Sequence, residues 1–418
     1  MKEVISLEND RYRSSWFKFF NYLASSFLSM RVKGSWMLFK IFRALSLPVK
    51  EIYNSLGIDY FNYPGIRRKL AQLLEPKNTV IQVYVVHGGY LDLPYLQDVS
   101  KKHLVVFRMP DAWLLSGHCA HSFDCDKWKT GCGECPDLSI PPKVKRDATA
   151  YNWRKKSEIY KNSRFHIVTP SRWLMNKVEQ SMLKQAAVSL NVIPNGIDTE
   201  IFSPGLQYES RRILGIDTEA TVLLFSANGI KSNRWKDFGH FKEVLNQLAS
   251  CKFEKQIEFI GLGDRAKDEL IGDIKIRYVA YQENTEVLVQ YYRSADLYVH
   301  PSKVDSFPNS VLEALACGIP VVANDVGGIP EQIRSLEFEG DQQSSQKHSQ
   351  QDATGILVPA GNSSVFFAAI KYLIDNYECR LQLGENARRD ACMRFSQQRV
   401  TEKYIKLYHE LISNAVAI

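Results

Sequence analysis

From Thr79 onward the sequence alternates between strand-like and helix-like runs, and it does so in two series. The first series predicts strands at 80–87 (VIQVYVVH), 103–108, 165–169 and 190–193. Helices are expected at 91–101, 151–162 and 171–184, the last with Ser171 as its N-cap. A segment at 194–204, punctuated by Pro, Asn and Gly, then reads as a linker. The alternation restarts with strands at 221–227, 257–261, 276–280, 297–300, 320–323 and 355–358. Helices follow at 237–250, 285–293, 310–317 and 363–376. Strand, helix, strand in this order means parallel sheets with crossover helices. The predicted fold class is α/β, with two doubly wound Rossmann-like domains facing a cleft. The expected boundaries are 1–200 for the first domain and 201–394 for the second. A final helix at about 397–414, within 395–418, returns to the first domain. Ligands of such sheets bind beyond the carboxyl ends of the strands. That placement does not name a reaction.

A length of 418 residues exceeds one hydrophobic core and suits two or three domains. Apolar residues at 45% and charged residues at 24% exclude wholesale disorder, collagen and a coiled-coil rod. No repeat of 20 to 50 residues marks a solenoid. No run of about 18 uncharged apolar residues is present, so no bilayer-spanning helix is expected. The start carries Glu3, Glu8 and Asp10 and no apolar core with a cleavage site, so the expected location is cytoplasmic. The polar stretch 337–354 reads as a mobile surface loop.

The net charge of +7 is unevenly placed. Residues 11–50 hold eight basic side chains and no acidic one, so the rest of the chain sums to −1. Ten aromatics lie in the same stretch, Trp16, Phe19, Trp36 and Phe39 among them. A basic, aromatic, helical segment suits an anionic membrane surface, here the inner face of the plasma membrane. It also suits a helix packed on its domain with its charges solvated. No nucleic-acid module accompanies the charge, and no nucleic-acid partner is expected.

The chemistry concentrates at 301–320. A strand ends, a loop carries Asp305-Ser306-Phe307-Pro308-Asn309, and a helix starts with Glu313 about one turn inside it. A helix N-terminus offers free N–H groups and the positive end of the dipole, which favour phosphate. Two adjacent carboxylates accept strong hydrogen bonds from sugar hydroxyls. Together they fit a nucleotide sugar. The same spacing also fits an ordinary strand–loop–helix with an acid near its dipole.

These residues resemble the acid-x7-acid motif of the GT-B glycosyltransferases, specifically the retaining family 4. The segments Val168-Thr169-Pro170-Ser171-Arg172 and Ile193-Pro194-Asn195-Gly196-Ile197-Asp198 resemble its middle motifs. Gly327-Gly328-Ile329-Pro330-Glu331 and Gly355-Ile356-Leu357-Val358-Pro359 resemble its late ones. Asp111-Ala112-Trp113, with Gly117-His118-Cys119 and Gly131-Cys132-Gly133-Glu134-Cys135-Pro136, resembles the exopolysaccharide branch of the colanic-acid type. The likeness covers residues 78–413.

The resemblance implies a role for each matching position. Glu313 would hold the ribose of the donor nucleotide, and Asp305, where the family more often has Glu, would contact the transferred sugar. Lys236 with Arg234, or Lys231 in the same loop, would neutralise the departing diphosphate. N–H groups at Gly327, Gly328, Ser310 and Val311 would assist. Tyr278 to Tyr281 would lie against the base, and Gly261-Leu262-Gly263 would let the backbone approach the nucleotide. The chain departs from the family at Pro110, where the loop before Asp111 usually carries His. His87 is the alternative contact in the first domain. The first βαβ portion of the N-terminal domain is also missing from the pattern.

Cys119, Cys125, Cys132 and Cys135 follow C-x5-C-x6-C-x2-C, with His118 and His121 nearby. This spacing partly matches a structural zinc site; reduced thiols and disulfides are the alternatives. No catalytic cofactor is expected. The expected activity is metal-independent transfer of a hexose from a nucleotide diphosphate sugar to a polysaccharide or lipid-linked glycan, as in exopolysaccharide or lipopolysaccharide synthesis. The alternatives are a nucleotide-sugar 2-epimerase and a non-catalytic nucleotide-sugar-binding protein of a glycan assembly.

Overall fold

Apolar runs of four to six residues, rich in Val, Ile, Leu and Phe, form most strands of two separate sheets. The computed structural model describes residues 19, 22, 23, 26, 35–46, 48–61, 63–74, 79–84, 92–337 and 347–416. The first sheet contains β1 (Val80–Tyr84), β2 (Leu104–Arg108), β3 (Phe165–Thr169) and β4 (Ala187–Val192), all parallel and in that spatial order. All five residues of β3 are buried. A parallel strand covered on both faces has no exposed side and hence no apolar–polar alternation.

The second sheet contains β5 (Thr221–Ser226), β6 (Ile257–Leu262), β7 (Glu269–Ile271), β8 (Ile274–Val279), β9 (Leu297–His300), β10 (Val321–Asn324) and β11 (Gly355–Val358). Its order is β11-β10-β9-β5-β6-β8-β7. Every neighbouring pair is parallel except β7 and β8, which run antiparallel at one edge. One core layer gathers Val222, Leu224, Tyr298 and Leu312. The opposite layer gathers Leu223, Phe225, Phe241 and Phe259.

Two compact units result. One comprises Met1–Thr169, Leu174–Val192 and Tyr408–Ile418; the other comprises Pro170–Trp173 and Ile193–Leu407. The segment 194–204 lies within the second unit. The helix Gln397–Val416 contributes to both units, and its Tyr408 hydroxyl donates to the Gln82 side chain on β1.

The structure revises several elements. The helix expected at 171–184 is Arg172–Glu179 followed by the 3-10 turn Met182–Ala186. The Glu331 carboxylate accepts the Arg172 and Trp173 N–H groups at 2.7 and 2.8 Å, satisfying donors in its first turn. Helices Gln207–Leu214 and Tyr377–Phe395 and strand β7 were not expected. Of the 80–87 strand, residues 85–87 lie outside the described residues. So do residues 338–346 of the expected polar loop.

In the basic stretch and just after it, helices Ser35–Ser46 and Pro48–Leu56 expose Trp36, Met37, Ile41, Val49 and Ile52. Most of residues 11–34 lie outside the described residues. Among the described residues no helix is long and apolar enough to cross a membrane. The chain after Pro48–Leu56 is pinned to helix Thr149–Lys161. There Asn152 donates to Gly57 O at 2.8 Å and accepts from Asp59 N at 3.0 Å.

Candidate functional site

A cavity of about 310 Å³ opens beyond the carboxyl ends of β5, β6 and β9, lined wholly by the second unit. Its volume is at the lower end of small-molecule sites. Ser226 and Leu262 close two strands against it, while Asp305, Asn309, Ser310 and Glu313 come from the loop and helix after β9. That helix, Asn309–Ala316, begins at Pro308, and no side chain caps its first turn. Its free N–H groups therefore belong to the cavity wall.

Lys236 and Asp305 form the centre of this wall. The Lys236 Nζ donates to Asp305 Oδ2 at 2.6 Å. The two loops are also joined by Lys303 N–H to Trp235 O at 2.8 Å and by a Lys303–Asp237 ion pair at 3.1 Å. Burial alone would raise the Asp305 pKa, but the Lys236 charge and His300 outweigh it, and the carboxyl sits below its usual range. Asp305 is thus ionised at neutral pH.

Glu313 differs. Its Oε2 accepts the Tyr292 hydroxyl at 2.5 Å, and burial raises its pKa despite that bond. One carboxylate is paired with a cation; the other is held by a phenol and remains an acceptor for hydroxyl groups.

Two glycine turns let backbone replace side chains here. Gly263 has φ +109°, and a Cβ there would lie 2.2 Å from Ala227 O. Gly327 has φ +61°, and Cβ atoms on Gly327 and Gly328 would lie 1.8 Å from the carbonyl oxygens of Asp305 and Ser306. Only glycine permits this approach. The Gly328 N–H donates to Asp305 O at 3.0 Å, so it braces the Asp305 loop and is not open to a diphosphate as the sequence reading expected.

The structure brings Asp305, Glu313, Lys236, Ser310 and Gly263 to one cavity and leaves other sequence candidates out of its lining. Tyr278 is in the core on Phe238, and its hydroxyl donates to Glu269 at 2.9 Å; Tyr281 lines the cavity instead. Gly261 lies beneath the Tyr278 ring, and Val311 is fully buried in the core. Lys231 pairs with Glu269 and lies 4.6 Å over the Tyr278 ring. Arg234 is exposed and outside the lining. His87 lies outside the described residues. Asn228, Gln282 and Leu288 line the cavity without having been singled out. They come from three loop or helix positions with no spacing in common.

The first unit holds the cysteine cluster. Cys119, Cys125, Cys132 and Cys135 line a small recess with His118. The zinc reading is not supported: among the described residues no three His, Cys, Asp or Glu are placed to hold one ion. His118 already uses both ring nitrogens, Nδ1 at 3.2 Å from Pro142 O and Nε2 at 3.3 Å from Cys135 Sγ. Burial raises the Cys119 and Cys135 thiols and pushes Cys132 up to about 11, so these three are protonated at neutral pH. In the loop before them, Asp111 accepts the Trp113 N–H at 2.9 Å.

Comparison with known proteins agrees with this geometry. Residues 209–390, within the second unit, match the family model described as Glycosyl transferases group 1. A D-inositol 3-phosphate glycosyltransferase of Paenarthrobacter aurescens (strain TC1) is 30% identical over 241 residues, 54% of this chain and 52% of that protein. A putative colanic acid biosynthesis glycosyl transferase WcaC of Escherichia coli (strain K12) is 23% identical over 283 residues, 63% of each chain. The chain spans about half the length of the first of these relatives. Among solved structures, sucrose-phosphate synthase (tll1590) from Thermosynechococcus elongatus has a TM-score of 0.58 at 17% identity, covering 84% of this chain and 78% of that one. Anabaena Alr3699/HepE in complex with UDP has a TM-score of 0.56 at 15% identity, covering 83% and 82%. The likeness establishes the fold as GT-B, with two Rossmann-like α/β domains.

Proposed function

We propose that this chain is a retaining, family 4 glycosyltransferase. It moves a hexose from a nucleotide diphosphate sugar to a hydroxyl of a polysaccharide or lipid-linked glycan. The observation that carries this reading is the Lys236–Asp305 pair, 2.6 Å apart on a cavity wall shared with Glu313 and an uncapped helix start. In this reading the acceptor oxygen bonds to the anomeric carbon on the face from which the diphosphate leaves. The bond from that carbon to the phosphate oxygen breaks, and the acceptor proton passes to the diphosphate. Lys236 and the helix N–H groups stabilise the negative charge that develops, which makes the transfer metal-independent. Asp305 accepts from a sugar hydroxyl and Glu313 from the ribose. The relatives' names, one a D-inositol 3-phosphate glycosyltransferase and one a putative colanic acid biosynthesis glycosyl transferase, support a polyol or glycan acceptor.

The same proposal places the chain peripherally on an anionic membrane. The exposed apolar residues of Ser35–Ser46 and Pro48–Leu56, beside eight basic residues in 11–50, support it. Co-sedimentation with vesicles containing anionic lipid, and not with neutral vesicles, is the expected result.

A thermal-shift screen against nucleoside diphosphates and nucleotide sugars tests the central claim, with UDP and UDP-glucose tried first. A native-state ligand raises the midpoint by mass action. The expected result is a shift with one base, lost in Lys236→Ala and Glu313→Ala, followed by acceptor-dependent release of that diphosphate. A folded protein that shifts with none of them overturns the reading.

A further inference from the structure

We propose that His300 is a positioning residue that holds the Asp305 carboxylate in place from inside the core, as a neutral imidazole in its Nε2–H form. This inference rests on the donor-site reading above and adds a residue to it.

His300 ends β9 and has no exposed surface. The Phe225 ring meets it edge-on at 6.0 Å, and the Tyr298 ring stacks on it at 5.9 Å. An aliphatic or phenyl side chain would suit such surroundings, and an imidazole there must find polar partners. The partners it finds all adjoin the cavity wall. Nε2 lies 2.9 Å from Ser302 Oγ and 3.6 Å from Asp305 Oδ2. Nδ1 lies 3.3 Å from the Tyr298 hydroxyl, which lies 3.3 Å from the carbonyl of Ser226, a cavity residue.

The Asp305 charge decides between the two tautomers. An ionised carboxylate only accepts, so a proton on Nε2 faces Ser302 Oγ and Asp305 favourably; Nδ1 then competes with the Ser226 carbonyl for the one Tyr298 proton. The charged and titratable groups facing the ring are Lys236, Asp305 and Tyr298. Burial and the Lys236 charge push the imidazole down to about 4, so it stays neutral where the enzyme would work. The His300 Nε2–H, bonded to Ser302 Oγ at 2.9 Å, thus faces the Asp305 carboxylate at 3.6 Å, while Lys236 bonds that carboxylate directly at 2.6 Å.

Two measurements test this. The first needs no activity: ring nitrogen resonances of histidine-labelled protein. His300 is expected as the neutral Nε2–H tautomer from pH 5 to 8, with its Nε2 signal displaced in Asp305→Asn. A charged ring, an Nδ1–H ring or an unmoved signal overturns the proposal. The second is a kinetic cycle of His300→Phe, His300→Gln and Asp305→Asn. His300→Phe is expected to lower kcat at least tenfold while nucleoside diphosphate affinity and donor KM stay within twofold. His300→Gln, which restores an N–H, is expected to recover most of the loss. In Asp305→Asn the His300→Phe change is expected to cost nothing further, because the two act as one unit. Wild-type kcat in His300→Phe, or a loss that adds fully to that of Asp305→Asn, overturns the positioning role alone. Should His300→Phe not fold, the cycle is run with His300→Gln and His300→Asn, the latter lacking a donor at the Nε2 position. Wild-type protein that binds no nucleotide defeats the donor-site reading, while the resonance measurement still decides whether His300 holds Asp305.

Discussion

Lys156 and Lys236 are both drawn out of water, and they are satisfied differently. Lys156 in the first unit has no exposed side-chain surface. Its ammonium lies 3.1 Å from Trp113 O, 3.0 Å from Ser116 O and 3.0 Å from Asp59 Oδ2, and 3.5 Å over the Trp113 ring. Two of its protons go to the carbonyl groups, and the Asp59 carboxylate balances its charge as an ion pair. Lys236 in the second unit reaches one protein acceptor with its ammonium, Asp305, and lines a cavity. The first pattern ties a loop to a helix and leaves nothing for a ligand. The second leaves donors and acceptors turned toward empty volume. What separates the two lysines is unspent hydrogen-bonding capacity beside a cavity, more than burial.

Mutation should break this pair of lysines in opposite ways. Lys156→Ala strands Asp59 and two carbonyl groups, and the expected loss is about 3–5 kcal/mol in urea unfolding. Lys236→Ala is expected to lower kcat/KM about 10²–10³-fold, the scale of losing one charge-stabilising donor. Its stability should move by about 1 kcal/mol, since water can enter where the ammonium was. A Lys236→Ala protein that unfolds as readily as Lys156→Ala, with activity lost only in proportion, would erase the distinction.

The brace behind Asp305 sharpens the comparison. Gly328→Ala puts a methyl 1.8 Å from the Ser306 carbonyl, so backbone must shift in the loop that carries Asp305. The expected cost is at least about 2 kcal/mol of stability, together with a fall in kcat. Gly215→Ala is the control. Its left-handed conformation ends helix Gln207–Leu214 in open space, so it should lose stability and leave kcat alone.

The sequence made much of this legible, for reasons specific to each part. Strands such as β3, β9 and β11 are buried along their whole length, so composition alone exposes them. β7 escaped notice because three residues at an exposed antiparallel edge carry no period. Asp305 and Glu313 were readable because one loop and one helix turn fix their spacing. Tyr278 was misplaced although its strand alternates: Ile274, Ile276 and Tyr278 face the core, while Lys275 and Arg277 pair with Glu258. A period of two already assigns Tyr278 inward. His300 and Asn228 gave no signal, since what makes them notable is a neighbour far away in the chain.

The smallest effect to expect is a pH dependence, and its sign separates the cavity groups from one another. His300 has a folded pKa of about 4 against an ordinary 6.5. As pH falls from 6.5 the unfolded chain takes up this proton first, so stability is full above that value and is lost toward pH 4. Asp305, held low, loses its contribution in the same direction at still lower pH. Glu313 runs the other way: its raised pKa favours the protonated folded form, which acid relieves and rising pH penalises. His118 in the first unit is also lowered by burial and shares the sign of His300. Comparing urea unfolding at pH 7.5 and 5.0, the wild-type difference should shrink by about 1–2 kcal/mol in His300→Gln. Nucleotide added at saturation should leave that difference in place, because the imidazole lies behind Asp305 and does not face the cavity. An unchanged difference in His300→Gln would mean that the ring is already charged in the folded protein, with Asp305 and Lys236 sharing the wall in a different balance.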